Sequence, residues 1–217
     1  MSLRLEGIEK RYGRVAVARA LFLEVRRGEC VWISGINGAG KSTMLRIASG
    51  LCRPDGGQVF VGPSDLYSWK KPKDRALALR SIGAYLGSSF LYEELSAQDN
   101  LLLYAKLFGI KRPADTVQRY ADMLGCRRAL TQRVKDCSAG TKRRIALTRV
   151  FLASPTVLLL DEPFAHLDAD GCDQLSAVLK QRVEEGALAV ITGHGARPAL
   201  AQRHYELDSG ALFEEEA

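Results

Sequence analysis

The stretch Gly35 to Ser42, GINGAGKS, constrains this chain more than any other. It follows the apolar run Val31 to Ser34 and precedes a helical run from Lys41 to Ser49. Strand, glycine-rich turn and helix in that order are the context in which G-x-x-x-x-G-K-[ST] binds phosphate. Gly35, Gly38 and Gly40 allow a turn tight enough for successive N–H groups, those of Ile36, Asn37 and Ala39 among them, to point at phosphate oxygens. The helix N-terminus adds its positive dipole end. Lys41 then reaches the β and γ phosphates, the Ser42 hydroxyl suits Mg²⁺, and Thr43 is close enough to hydrogen-bond a phosphate. The expected ligands are ATP and Mg²⁺.

A second feature fits the same chemistry. Val157 to Leu160 is an apolar strand that ends in Asp161 and Glu162. In open parallel sheets ligands sit beyond the carboxyl ends of the strands, so both acids should meet the phosphates. Asp161 suits a ligand of Mg²⁺, and Glu162 suits the polarising of an attacking water. By itself such a pair reads as a solvated helix cap; the phosphate loop upstream favours the catalytic reading.

Short apolar runs at Cys30 to Ser34, Gln58 to Val61 and Val157 to Leu160 alternate with longer helical patterns, which predicts an α/β protein with a largely parallel core sheet. Between about Leu95 and Ala153 strand signals vanish. Ser96 with Asp99 resembles a capping box and Pro113 suits a helix start, so this stretch reads as a helical insertion. Gly62 to Arg80 reads as a surface connection with a short helix. With 217 residues, 47% of them hydrophobic, one sizeable core with an inserted lobe is expected, residues 1–217 forming a single unit.

No apolar run approaches the roughly 20 residues that span a bilayer, and Met1 to Lys10 lacks the apolar stretch of a secretory signal. Cys30, Cys52, Cys126, Cys137 and Cys172 are scattered without close pairs, which argues against a zinc knuckle or a disulfide framework and fits a reducing cytosol. The net charge of +6 is compatible with a nucleic-acid or anionic-membrane partner, though a solvated surface explains it more simply.

Taken in order, these motifs resemble those of the ATP-binding subunits of ABC transporters, from Tyr12 to His194. The family's signature, usually LSGGQ, has its counterpart in Cys137, Ser138, Ala139, Gly140 and Thr141, followed by Lys142, Arg143 and Arg144. Ser138 and Gly140 open a helical run whose free N–H groups can meet a γ-phosphate; from the residues alone, Ser138 could equally be only a helix cap. The resemblance implies an ABC ATPase fold, with a P-loop core sheet, an antiparallel β edge and the helical subdomain at 95–153. It implies that Ser138, Ala139, Gly140, Thr141 and Asp168 act in trans on the nucleotide of a second subunit. It makes His194, in ITGHG, the switch histidine at the γ-phosphate and Tyr12 the ring that stacks on adenine. His166 has no counterpart role and reads as a surface residue.

One departure stands out. Where the family carries a glutamine that senses Mg²⁺ and the membrane partner, this chain reads Tyr85 to Tyr92, YLGSSFLY, with Gly87 or Ser88 at the glutamine's position. Ordinary coupling is therefore in question, although a Ser88 hydroxyl could still hold water near the metal.

The resemblance implies an ATPase, most simply a homodimer, that powers a separate transmembrane permease from the inner face of the cell membrane and has no nucleic-acid partner. Within the family, SAGTKRR from Ser138 and DEPF from Asp161 look most like the ATPase of the heme exporter used in cytochrome c maturation. A soluble ABC ATPase acting on nucleic acid, ribosomes or iron–sulfur assembly is the alternative.

Overall fold

The computed structural model describes residues 1–87, 90–195 and 197–215. Two sheets face each other. β1 (Ser2–Tyr12), β2 (Val15–Arg26), β4 (Gly56–Val61) and the short β5 (Ser64–Asp65) form an antiparallel sheet in the order β2-β1-β4-β5. A six-stranded sheet runs β10-β9-β3-β8-β7-β6, from β3 (Cys30–Ser34), β6 (Ile82–Tyr85), β7 (Val157–Asp161), β8 (Leu188–Thr192), β9 (Arg203–Asp208) and β10 (Ala211–Glu215). All its neighbours are parallel except β9 and β10. The run Gln58 to Val61, read from sequence as a core strand, belongs instead to β4 of the antiparallel edge. Its pattern is apolar only at Val59, Phe60 and Val61, too short to separate a half-covered strand from a fully covered one.

α1 (Lys41–Ala48) follows β3, α2 (Pro72–Arg80) precedes β6, and α6 (Ala169–Glu184) links β7 to β8. Residues 97–151 hold α3 (Ala97–Leu107), α4 (Pro113–Met123) and α5 (Ala139–Phe151), with two short 3₁₀ turns between α4 and α5. The sequence signals explain their starts. The Ser96 hydroxyl caps α3 by accepting from the Asp99 N–H at 3.0 Å, Pro113 occupies the first turn of α4, and Ser138 caps α5 by accepting from the Thr141 N–H at 3.2 Å.

The parallel strands divide the core in two. Cys30 and Trp32, Leu158 and Leu160, Ala189 and Ile191 face α3 to α6, whereas Val31 and Ile33, Val157 and Leu159, Leu188 and Val190 face α1 and the antiparallel sheet. Both faces are covered, so these strands show no polar alternation. Each fully buried aliphatic side chain contributes about 1.5–3 kcal/mol, which makes this sheet the rigid support for whatever lies at its ends.

The turn before α3 is tied down by Asn100, which is 0% exposed. Its Oδ1 accepts from the Tyr92 N–H at 2.7 Å, and its Nδ2 donates to the carbonyls of Tyr92 at 2.9 Å and Ser96 at 3.0 Å. Asn100→Leu leaves the Tyr92 N–H without its acceptor, while the Tyr92 and Ser96 carbonyls keep the N–H groups of Leu95 and residue 100, and urea unfolding should show a loss of about 1–3 kcal/mol at unchanged m.

Candidate active site

Register brings the parts together. In β3 and β8, Ile33 lies opposite Thr192, and in β7 and β8, Asp161 lies opposite Thr192. The carboxyl ends of three adjacent strands therefore finish level, and the chain continues into Gly35, Glu162 and His194 at one edge of the sheet.

The loop has the backbone that its glycines permit. Gly35, Gly38 and Gly40 have φ of 145, 84 and 108°. A Cβ on Gly35 would collide with the Leu207 carbonyl of β9, and one on Gly40 would come within 2.6 Å of the Val17 carbonyl of β2. Ile36, Asn37 and Gly38 are exposed, Ala39 and Gly40 half-buried. Lys41 is 5% exposed and donates from Nζ to the carbonyls of Gly35 at 2.5 Å and Ile36 at 3.2 Å. Burial lowers its pKa, opposed by the negative charges of Glu162 and Asp161. Ser42 and Thr43, in the first turn of α1, are half-buried.

Asp161 is 7% exposed and Thr192 0% exposed. The Thr192 hydroxyl donates to Asp161 Oδ1 at 2.6 Å, leaving Oδ2 without a protein donor among the described residues. Glu162 has φ of 48°, unusual for a residue with a side chain, and its N–H donates to the Thr192 carbonyl at 3.1 Å. Its Oε1 lies 3.0 Å from His194 Nε2. Lys41 Nζ is 3.3 Å from the same nitrogen. One ring nitrogen cannot donate to a carboxylate and accept from an ammonium at once. The shorter contact, together with the two carbonyls already bonded to Lys41, places the proton on Nε2, directed at Glu162. Gly193 has no room for a side chain, since a Cβ there would enter the Trp32 indole of β3.

Ser138 and Ala139 are exposed at the start of α5, with Gly140 and Thr141 half-buried behind them. Asp168 caps α6 by accepting from the Gly171 N–H at 3.0 Å and pairs with Arg144 of α5. Arg143 donates to the carbonyl of Glu162 at 2.8 Å and to that of Ala165. Among the described residues no hydrogen bond joins Ser138 or Asp168 to Gly35–Ser42. Tyr12 is 51% exposed at the tip of the β1–β2 hairpin, and that hairpin shares an edge with the loop through Val17 and Gly40. His166 is exposed. Gly87 has φ of 78°, and a Cβ there would sit 3.9 Å from Asp161 Oδ2. Ser88 lies outside the described residues.

Oxygen donors from Asp161 and Ser42 suit a hard divalent cation such as Mg²⁺, and Oδ2, which has no donor among the described residues, fits that role. The glycine cradle with its lysine and the acid pair on the adjacent strand end together define a P-loop nucleoside triphosphatase. Comparison with known proteins narrows this. The family model described as ABC transporter matches residues 18–165. "Putative hemin import ATP-binding protein HrtA" of Staphylococcus haemolyticus is 33% identical over 220 residues, spanning 98% of this chain and 99% of that protein. The maltose/maltodextrin import ATP-binding protein MalK of Escherichia coli is 35% identical over 170 residues, 77% of this chain and 44% of MalK. In structure, a dimeric post-hydrolysis state of the ATP-binding cassette MJ0796 bound to ADP and Pi superposes with a TM-score of 0.89, at 24% identity, over 99% of this chain and 98% of that one. The chain belongs to the ABC transporter family as an ATP-binding, ATP-hydrolysing domain, and its fold is that of the ABC ATPase cassettes.

Thr192, Gly193 and Trp32 escaped the sequence reading. The only signal was that Thr192 and Gly193 directly precede His194; the contact with Asp161 depends on strand register. Thr192→Val keeps the shape but removes the donor to a buried carboxylate. We expect a loss of about 1–3 kcal/mol in chemical unfolding.

Proposed function

We propose that this chain works as one of two identical subunits packed head to tail, and that the pair drives a separate transmembrane permease from the cytoplasmic face of the cell membrane. The observation that carries this reading is a division within one chain. Lys41, Asp161, Glu162 and His194 converge at the sheet edge, while Ser138 and Asp168 face solvent and, among the described residues, have no bond to the loop. A nucleotide held by Gly35 to Thr43 would meet the exposed start of α5 only from another copy.

In this reading the phosphates replace the loop carbonyls as partners of Lys41, and Mg²⁺, held through Ser42 and Asp161, supplies positive charge for the phosphate oxygens. Glu162 accepts the proton of an attacking water, and His194 holds that carboxylate through Nε2 while marking the γ-phosphate position. Thr192 keeps Asp161 oriented. Tyr12 offers a face to adenine. Ser138 to Thr141 present the N-terminus of α5 to the γ-phosphate of the other subunit, with the Thr141 N–H held by the Ser138 hydroxyl until the phosphate arrives. Closure on ATP and reopening after hydrolysis would move the helical lobe and the loop at Gly87 to Tyr92, which meet the permease.

Heme or a related tetrapyrrole is the cargo we favour for that permease. The support is the near full-length similarity to the hemin import relative and the SAGTKRR and DEPF stretches. A role in cytochrome c maturation gains nothing from the relatives, which are named as import ATPases.

Glu162→Gln tests the chemistry and the pairing together. It should bind ATP with near-normal affinity, lose roughly 10²–10⁴-fold in hydrolysis, and double its mass by light scattering when ATP is added. Near-normal turnover would sink the base assignment, and a monomer at saturating ATP would sink the head-to-tail pair.

A further inference from the structure

The end of β1 loses its partner early. β4 pairs with β1 only as far as Gly56 opposite Glu9, so Lys10, Arg11 and Tyr12 run on beyond that ladder, with β2 on the other side alone. The segment leaving α1, Cys52 to Asp55, fills the place of the missing strand. The Asp55 N–H donates to the Glu9 carbonyl at 2.8 Å. Asp55 Oδ2 accepts from the Arg11 N–H at 2.8 Å, and Oδ1 accepts from Lys10 Nζ at 2.8 Å. Lys10 Nζ also donates to the Arg53 carbonyl at 2.9 Å and lies 5.6 Å from the centroid of the Tyr12 ring. The Tyr12 hydroxyl reaches Cys52 Sγ at 3.6 Å.

We propose that Asp55 is a positioning residue for the base of the nucleotide. Its carboxylate substitutes for a strand at Arg11 and steers the Lys10 ammonium onto one face of Tyr12, which fixes the ring with its other face open to a purine. The inference rests on Tyr12 being the adenine platform. Lys10 and Tyr12 are two apart and so share one side of the strand, and an ammonium over a ring face is attracted by its quadrupole.

Stability alone does not account for this arrangement. An ion pair whose acid is 48% exposed is partly solvated and adds only modestly to folding, and a tyrosine left 51% exposed contributes little to the core. A ring already held in place, however, gives up less freedom when a base stacks on it. The same segment continues from α1, whose first turn carries the phosphate-binding residues, so base and phosphate subsites are tied to one helix.

The test compares ATP with inorganic tripolyphosphate, which can occupy the loop without a base. Dissociation constants are measured for the wild-type chain and for Tyr12→Ala, Asp55→Leu and Asp55→Asn. Tyr12→Ala should weaken ATP by roughly tenfold, the scale of one base–aromatic stack, and leave tripolyphosphate unchanged. Asp55→Leu should weaken ATP by roughly three- to tenfold on the same scale, again without effect on tripolyphosphate, and should raise KM with kcat preserved. Asp55→Asn, which keeps an acceptor for Arg11, should recover most of the affinity. If Tyr12→Ala leaves ATP binding intact, the adenine platform is wrong and the role of Asp55 falls with it. If Tyr12→Ala weakens ATP but Asp55→Leu does not, or if Asp55→Leu weakens both ligands equally, the positioning role is overturned while the platform stands.

Discussion

The bond between the Thr192 hydroxyl and Asp161, 2.6 Å long and shut away from solvent, is the contact on which the rest of the site depends. It exists because β7 and β8 are parallel and in a register that sets the two residues side by side. A slip of one residue would turn each side chain to the opposite face, pulling Asp161 from its donor and putting apolar residues at the sheet edge. The same strand end carries Gly193 and His194, and the same carbonyl anchors the Glu162 N–H. A buried, fully covered sheet is therefore what gives the charged groups their fixed separation. A half-solvated one would let them drift by the distances that decide whether a proton can be transferred.

The helical lobe is joined to this edge by arginines. Arg143 donates to the carbonyls of Glu162 and Ala165, and Arg144 pairs with Asp168 and bonds the Leu124 carbonyl at 3.0 Å. Arg149 lies over Phe90 and Tyr104 at 5.6 and 5.1 Å, so it clasps the loop ahead of α3 against the lobe. Burial lowers the pKa of Arg149 from its ordinary value. Residues 91–153 hold twelve Lys and Arg against six Asp and Glu, an excess equal to the whole chain's +6. Part of that excess is thus spent on internal fastening of the lobe to the loops that border the nucleotide, a use that net charge alone does not reveal.

What could be read from sequence follows from the range of the forces involved. The phosphate loop was legible because the glycines, the lysine and the helix start are set within eight contiguous residues, and the caps at Ser96 and Ser138 because a cap reaches only three residues forward. The ABC architecture came from motif order. The placement of β4 in an antiparallel edge was missed because pairing partners are non-local and its apolar run is short. Thr192 was missed for the same reason: its hydroxyl meets a residue 31 positions away. Asp55 carried no signal in the sequence, and its carboxylate gains a partner only because the β1–β4 ladder ends at Glu9.

At Gly87, one of the two positions that could hold the family's glutamine, a Cβ would lie 3.9 Å from Asp161 Oδ2, the oxygen that Thr192 does not occupy; the other position, Ser88, lies outside the described residues. The Gly87 φ of 78° is open to glycine and strained for glutamine, so a glutamine here would have to move the backbone as well as add an amide. Phe90 is fastened to the lobe, with Arg149 over its ring and the Tyr104 hydroxyl donating to its carbonyl at 2.5 Å. Arg149 lies on α5, the helix that begins after Ser138, so that helix and Phe90 are in direct contact.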